Sequence, residues 1–315
     1  MNRYKTKNSK PKTQVSKYYA RRLAFVFWLL YPGLAAAQEL EPRAYSNAPV
    51  GMNFVGAIYG ISRGNVIVDA SLPVEDFRVT AHNLGAVYVR ALNFFGTHGK
   101  VRAQVPFVWL AGDLKVAGRD TSGTRTGFAD ARVSLSVNFL GAPALSPREF
   151  RNYQQKTVAG ASLIISIPIG QYYEDKYVNL GANRWAFKPE LGVSQRMGKW
   201  YLEAFGGVWL FMDNNEYLRT SALEQKPLFT IQGHLSYVFK PGLWLAVNGG
   251  YADGGETSVN GNFKSDFQKN WRVGATFSLP FGRQHALKVQ LHTGAATRAG
   301  SDFDALAIAY QYSWL

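Results

Sequence analysis

The sequence predicts an all-β protein, an antiparallel transmembrane β-barrel of about twelve strands, an even number. Three observations carry this. Apolar and polar residues alternate in segment after segment, most of these segments run about ten to fourteen residues, and the connections between them alternate between long and short. Successive side chains of a strand point to opposite faces, so each alternating segment is a two-faced ribbon. Its length exceeds the roughly five or six residues usual for a soluble strand and suits a tilted crossing of a bilayer.

In order, the segments lie near 51–61, 82–95, 101–111, 127–140, 157–169, 184–197, 200–212, 228–239, 243–252, 269–281, 286–297 and 303–314. In the third, VRAQVPFVW sets Val101, Ala103, Val105, Phe107 and Trp109 against Arg102 and Gln104. In the fourth, ADARVSLSVNF sets Ala131, Val133, Leu135, Val137 and Phe139 against Asp130, Arg132, Ser134, Ser136 and Asn138. The sixth opposes Trp185, Phe187, Pro189, Leu191 and Val193 to Lys188, Glu190, Ser194 and Arg196. The eighth opposes Phe229, Ile231, Leu235, Tyr237 and Phe239 to Thr230, Gln232, His234 and Ser236. The tenth opposes Trp271, Val273, Ala275, Phe277, Leu279 and Phe281 to Arg272, Thr276 and Ser278, and the eleventh Leu287, Val289 and Leu291 to Lys288, Gln290 and His292.

Short connections are expected at THGK after the second segment, Gly198-Lys199 after the sixth, KPG (240–242) after the eighth and GRQH (282–285) after the tenth. Polar connections of roughly fourteen to twenty residues follow the first, third, fifth, seventh and ninth, the pattern of tight periplasmic turns and longer external loops, with both termini periplasmic. The stretch from Gly141 to Lys156 is long where a short turn is due, and the loop after the eleventh segment is short.

A soluble sandwich also alternates, with its apolar face inward. Against it stand the strand lengths, the aromatics near strand ends (Trp109, Trp185, Trp200, Trp271, Trp314) that suit a membrane girdle, and the N-terminus. The first twenty-two residues hold eight of the 35 basic groups and no acid; LAFVFWLL, Pro32-Gly33 and Ala35-Ala36-Ala37 follow. A basic region, a short apolar core and a small-residue cleavage site make a secretory signal over 1–37, followed by a periplasmic segment over 38–50, a candidate plug, and the barrel over 51–315. Without the signal, the net charge of +14 falls to +6, so nucleic acid is not an expected partner. There is no cysteine, which excludes disulfides and thiolate metal sites.

A closed barrel satisfies every backbone hydrogen bond in lipid, so outer-membrane lipid contacts the apolar face and the polar face lines a lumen. The last segment, FDALAIAYQYSWL, places Leu306, Ile308, Tyr310, Tyr312 and Trp314 on one face. It resembles the C-terminal signal of outer-membrane barrels, with Leu315 after the terminal aromatic. The resemblance implies Tyr310, Tyr312 and Trp314 as the membrane-insertion signal read by the barrel-assembly machinery.

A second resemblance lies in Arg43 to Asp76. Tyr45-Ser46-Asn47-Ala48-Pro49-Val50-Gly51, Asn53-Phe54, Gly64-Asn65-Val66 and Asp69 through Pro73 look like the opening of the family named for the MetA pathway of phenol degradation, a set of outer-membrane transporters. The resemblance implies passage of hydrophobic or aromatic compounds and supplies no site residues.

No G-x-S-x-G elbow, P-loop or G-x-G-x-x-G is present, and the five histidines lack paired-ligand spacing, so neither an enzyme, a cofactor nor a metal is expected. Parity alone places Arg90, Arg102, Arg132, Lys188, Arg196, Arg272 and Lys288 in the lumen with Asp130, Glu190 and Glu203. This positive surplus reads either as an anion-preferring pore or as an internal network of ion pairs. In WYLEAFGGVWLFM, parity with Glu203 turns Tyr201, Phe205, Trp209 and Phe211 inward, joined by Tyr88 and Trp244. Inward aromatics read either as a stacking path for ring-shaped solutes or as packing against a plug. The expected function is passive passage of small hydrophobic or aromatic molecules; the alternatives are a narrow anion-preferring porin, or a closed barrel whose external loops play a structural, adhesive or enzymatic role.

Overall fold

The computed structural model describes residues 40–67, 74–116, 119–176 and 178–315. The expected signal over 1–37 and the Asp69–Pro73 part of the family resemblance lie outside the described residues.

The strands are β1 (Asn53–Ile67), β2 (Val74–Phe94), β3 (Thr97–Val116), β4 (Arg119–Phe128), β5 (Ala131–Leu140), β6 (Thr157–Ile167), β7 (Ala186–Met197), β8 (Trp200–Phe211), β9 (Asn214–Tyr217), β10 (Ser221–Gln225), β11 (Leu228–Lys240), β12 (Leu243–Gly254), β13 (Thr257–Val259), β14 (Asn262–Phe263), β15 (Gln268–Phe281), β16 (His285–Ala296) and β17 (Gly300–Trp314). One short helix, α1 (Pro147–Phe150), lies between β5 and β6. Each barrel strand pairs antiparallel with its neighbours, and β1 pairs with both β2 and β17, so the sheet closes on itself. The barrel has the expected twelve positions, one of them shared by β4 and β5, which both pair with β3.

The alternation sorts side chains as the lipid argument requires. Val247, Ile231, Leu191 and Leu202 are exposed on the outside, while Ser194, Glu203, Ser236 and Asn248 on the same strands are buried inside. Exposed aromatics form two belts: Trp200, Phe239 and Phe281 beside the short turns, and Trp109, Trp185, Phe229 and Trp271 about ten to twelve residues away from the short-turn ends of β3, β7, β11 and β15. Phe229 and Phe239 lie ten residues apart on β11, roughly 33 Å along a strand and about 25 Å of membrane height at a tilt near 40°. That matches a hydrocarbon layer.

The short turns gather at one end of the barrel, termed the periplasmic end because outer-membrane barrels place their tight turns there. Phe95 and Gly96 connect β2 to β3 with both φ angles positive (50° and 86°), as a two-residue type I′ hairpin demands; THGK, expected as the turn, instead begins β3. The external connections after β8 and β12 are more ordered than loops, because β9, β10, β13 and β14 form a separate four-stranded sheet.

The long periplasmic stretch after β5 has a structural reason. It starts α1 with a capping box, in which the Glu149 carboxylate accepts from the Ser146 N–H at 2.8 Å, a standard way to satisfy first-turn donors. Its backbone then receives the N-terminal segment: Val50 N–H donates to Leu145 O at 2.8 Å and Asn47 Nδ2 to Pro143 O at 3.1 Å.

Candidate functional site

Residues 40–50 run inside the barrel, and their contacts define the lumen. Tyr45 is buried, its ring 5.1 Å from that of Phe205 and its hydroxyl 3.0 Å from Ser162 Oγ. Together with Ala142 and Val158 these two rings form the apolar core of the molecule. Asn138 Nδ2 donates to Tyr45 O, the Ala48 N–H to His98 Nε2, and the Arg43 N–H to Glu203 Oε2 at 2.6 Å. The Arg43 guanidinium lies 3.7 Å above the Tyr201 ring. Backbone amides without a strand partner are thus satisfied by side chains of the wall.

Further in, Glu41 pairs with Arg102, and Lys100 Nζ donates to Ala44 O. Burial alone would raise the Glu41 carboxyl; the charges of Arg102, Lys288 and Lys100 outweigh it and bring its pKa down to about 2. Leu40, at the end of the described segment, is buried and leaves no room for a side chain at Gly250, where a Cβ would lie 2.8 Å from Leu40 Cδ2.

Two cavities flank this segment. One, of about 100 Å³, is bounded by Glu41, Lys100, Arg102, Arg132, Lys188 and Glu190 together with Phe205 and Gln232. The other, of about 50 Å³, lies among Leu40, Trp209, Leu228, Arg132, Lys188 and Gln232. Arg132, Lys188 and Gln232 belong to both. Arg132 Cζ stands 5.5 Å and Lys188 Nζ 6.0 Å from the centre of the Trp209 ring, within cation–π range. Lys188 also donates to Glu190 Oε2 at 2.6 Å, both side chains nearly enclosed.

The other inward residues divide by depth. Trp244 and Lys288 meet at 5.9 Å, and Arg196 bonds Gly198 O at the periplasmic rim. Arg272 is buried near the charges of Asp302 and Asp304. Phe211 lies under Arg184 towards the outer mouth. Asp130 is spent on structure: at the break between β4 and β5 its two oxygens accept from Gly170 N–H (2.9 Å) and Ala182 N–H (2.8 Å), pinning the external connection after β6. Tyr310, Tyr312 and Trp314 share the outward register of β17 opposite Ala57, Val55 and Asn53.

The inward assignment of Tyr88 and Arg90 is corrected. Tyr88 pairs with outward Val55 and is exposed, and Arg90 shares its face, opposite Asn53. At the rim an outward Arg can extend its charge to the lipid headgroups.

Residues 59–309 match the family described as MetA-pathway of phenol degradation. The chain belongs to this family. No curated protein matches the chain. Among solved structures, an outer-membrane channel from Pseudomonas putida F1 is similar at 21% identity, with a TM-score of 0.75 over 88% of this chain and 100% of that one. Its fold is the fold of this chain. More distant are the β domain of the Bordetella autotransporter BrkA (12% identity, TM-score 0.49, 82% and 98% covered) and the TodX monoaromatic hydrocarbon channel deltaS2 mutant (11%, 0.47, 87% and 92%).

Within this family member, the lumen residues that the sequence does not single out are Leu40, Glu41, Arg43, Lys100 and His98; Gln232 stands on the expected polar face without being marked as a site residue. Lys100 carries the parity of Arg102, a signal that extends its segment by one step, and Gln232 carries that of His234 within its segment. The N-terminal segment has no period, so the sequence marks it as a candidate plug without assigning its side chains to partners.

Proposed function

We propose that the protein is an outer-membrane channel through which small hydrophobic or aromatic molecules pass passively. The observation that carries this is the pair of cavities inside the barrel, where Leu40, Phe205, Trp209 and Leu228 form apolar wall beside a few fixed polar groups, the composition of a small-molecule site. Membership of a family named for phenol degradation supports an aromatic solute, and the similar Pseudomonas barrel is itself an outer-membrane channel.

In this reading Phe211, Trp209 and Phe205 form successive steps from the outer mouth, with Tyr201 and Trp244 nearer the periplasm. Residues 40–50 act as a plug whose displacement completes the passage, and β17 carries the signal for the assembly machinery in Tyr310, Tyr312 and Trp314.

The test is entry of radiolabelled phenol and glucose into cells of a porin-deficient Gram-negative host expressing the full chain, where the lipopolysaccharide leaflet slows both solutes. Phenol entry above the empty-vector cells, without a matching gain for glucose, is expected. Equal gains would mean a general diffusion pore, and no gain for either a closed barrel whose role lies in its external loops.

A further inference from the structure

Resting on that reading, we infer that the lumen holds a subsite for an aromatic carboxylate, with the ring of the solute against Trp209 and its carboxylate between Arg132 and Lys188. Three observations converge. Arg132, Lys188 and Gln232 line both cavities, so a solute moving from one to the other passes these groups. Both cations lie over one indole, at 5.5 and 6.0 Å from its centre, which places a flat apolar face and two positive charges around the same small volume. Among the described residues the larger cavity is lined by four cations, Lys100, Arg102, Arg132 and Lys188, and two carboxylates, Glu41 and Glu190, which pair with Arg102 and Lys188, so this lining favours an anion over a cation.

The smaller cavity sharpens the chemistry. Leu40, Leu228 and Trp209 give it an apolar side and the two cations a charged one. A solute matched to it is itself two-sided, with a ring and an anionic group. A neutral hydrocarbon leaves the cations without an added partner, and a simple anion leaves the apolar wall uncovered. Gln232 Oε1 is buried without a hydrogen-bond partner among the described residues and can accept from a ring hydroxyl.

The experiment compares three radiolabelled solutes in the same host: benzoate, cyclohexanecarboxylate (same charge, no aromatic face) and benzyl alcohol (same ring, no charge). Protein-dependent entry of benzoate is expected to exceed that of both others. Arg132→Gln is expected to lower the ratio of benzoate to benzyl alcohol entry by about tenfold, the value of one hydrogen bond to a charged group, and Arg132→Lys to lower it less. Trp209→Leu is expected to erase the advantage of benzoate over cyclohexanecarboxylate. Heat-modifiable gel migration of each variant separates a lost subsite from a lost barrel.

Equal entry of benzoate and cyclohexanecarboxylate into wild-type cells overturns the aromatic half of the subsite. Benzyl alcohol entering while benzoate stays out overturns the subsite but leaves the aromatic channel standing. Absence of protein-dependent entry for all three overturns both.

Discussion

Tyr45 and Gly160 approach so closely that no side chain fits between them: a Cβ at position 160 would lie 2.6 Å from Cδ1 of the tyrosine ring. The same ring crowds the space above Gly192. Two wall glycines on adjacent strands therefore form the seat of the N-terminal segment. Gly160→Ala is expected to push Tyr45 out at a cost of about 1–3 kcal/mol, the usual penalty of overpacking. Single-channel current through the refolded full chain in a planar bilayer should rise, and the double variant with Tyr45→Ala, which removes the ring and leaves Asn138 Oδ1 at 2.7 Å to shift, should lose less barrel stability than Gly160→Ala alone. Unchanged current in Gly160→Ala would mean that the segment does not limit the pore.

Among the described residues, Glu41 is one of two carboxylates on the larger cavity. Glu41→Gln should raise anion over cation permeability by roughly three- to fivefold, the effect of one charge at about 5 Å in water-like surroundings. Reversal potentials in a salt gradient measure it, and a shift towards cations would contradict the charge count.

The pH dependence of the docked segment has a definite sign. The Glu41 carboxyl is held at about 2, below its ordinary 4.5, so its ion pairing stabilises the docked form fully above 4.5 and is lost as pH falls from there towards 2. Conductance should be flat from about pH 7 to 5 and rise only below about pH 4. A rise centred near neutrality would point to a different group.

Val247 lies on the outer surface, 62% exposed. Val247→Arg should destabilise the barrel in vesicles by about 2–4 kcal/mol if placed near the midplane, read from urea unfolding. A cost near zero would invert the assignment of faces.

The barrel was legible in the sequence because its wall has a period. Where both faces of a strand are apolar, as around Leu84, Val87, Tyr88 and Val89, the period carries no direction; the charge of Arg90 then suggests the lumen, although a rim position satisfies it equally well. The lumen's contents were less legible still. Glu41, Arg43 and Tyr45 meet Arg102, Glu203 and Ser162 across 61, 160 and 117 positions of chain, and such pairs leave no local pattern. The external sheet of β9, β10, β13 and β14 has strands of two to five residues, too short for alternation to register.

The pairing of β1 with β17, from Asn53 opposite Trp314 to Ile67 opposite Gly300, also dictates an order of events. The cylinder has a seam between its first and last staves, and the segment lodged inside belongs to the chain just upstream of the first. The zipper therefore cannot finish until the last stave has been threaded into the membrane, and until then the interior stands open along its whole height. Residues 40–50 can slip in sideways during that interval, before the wall becomes a ring that admits them only from below.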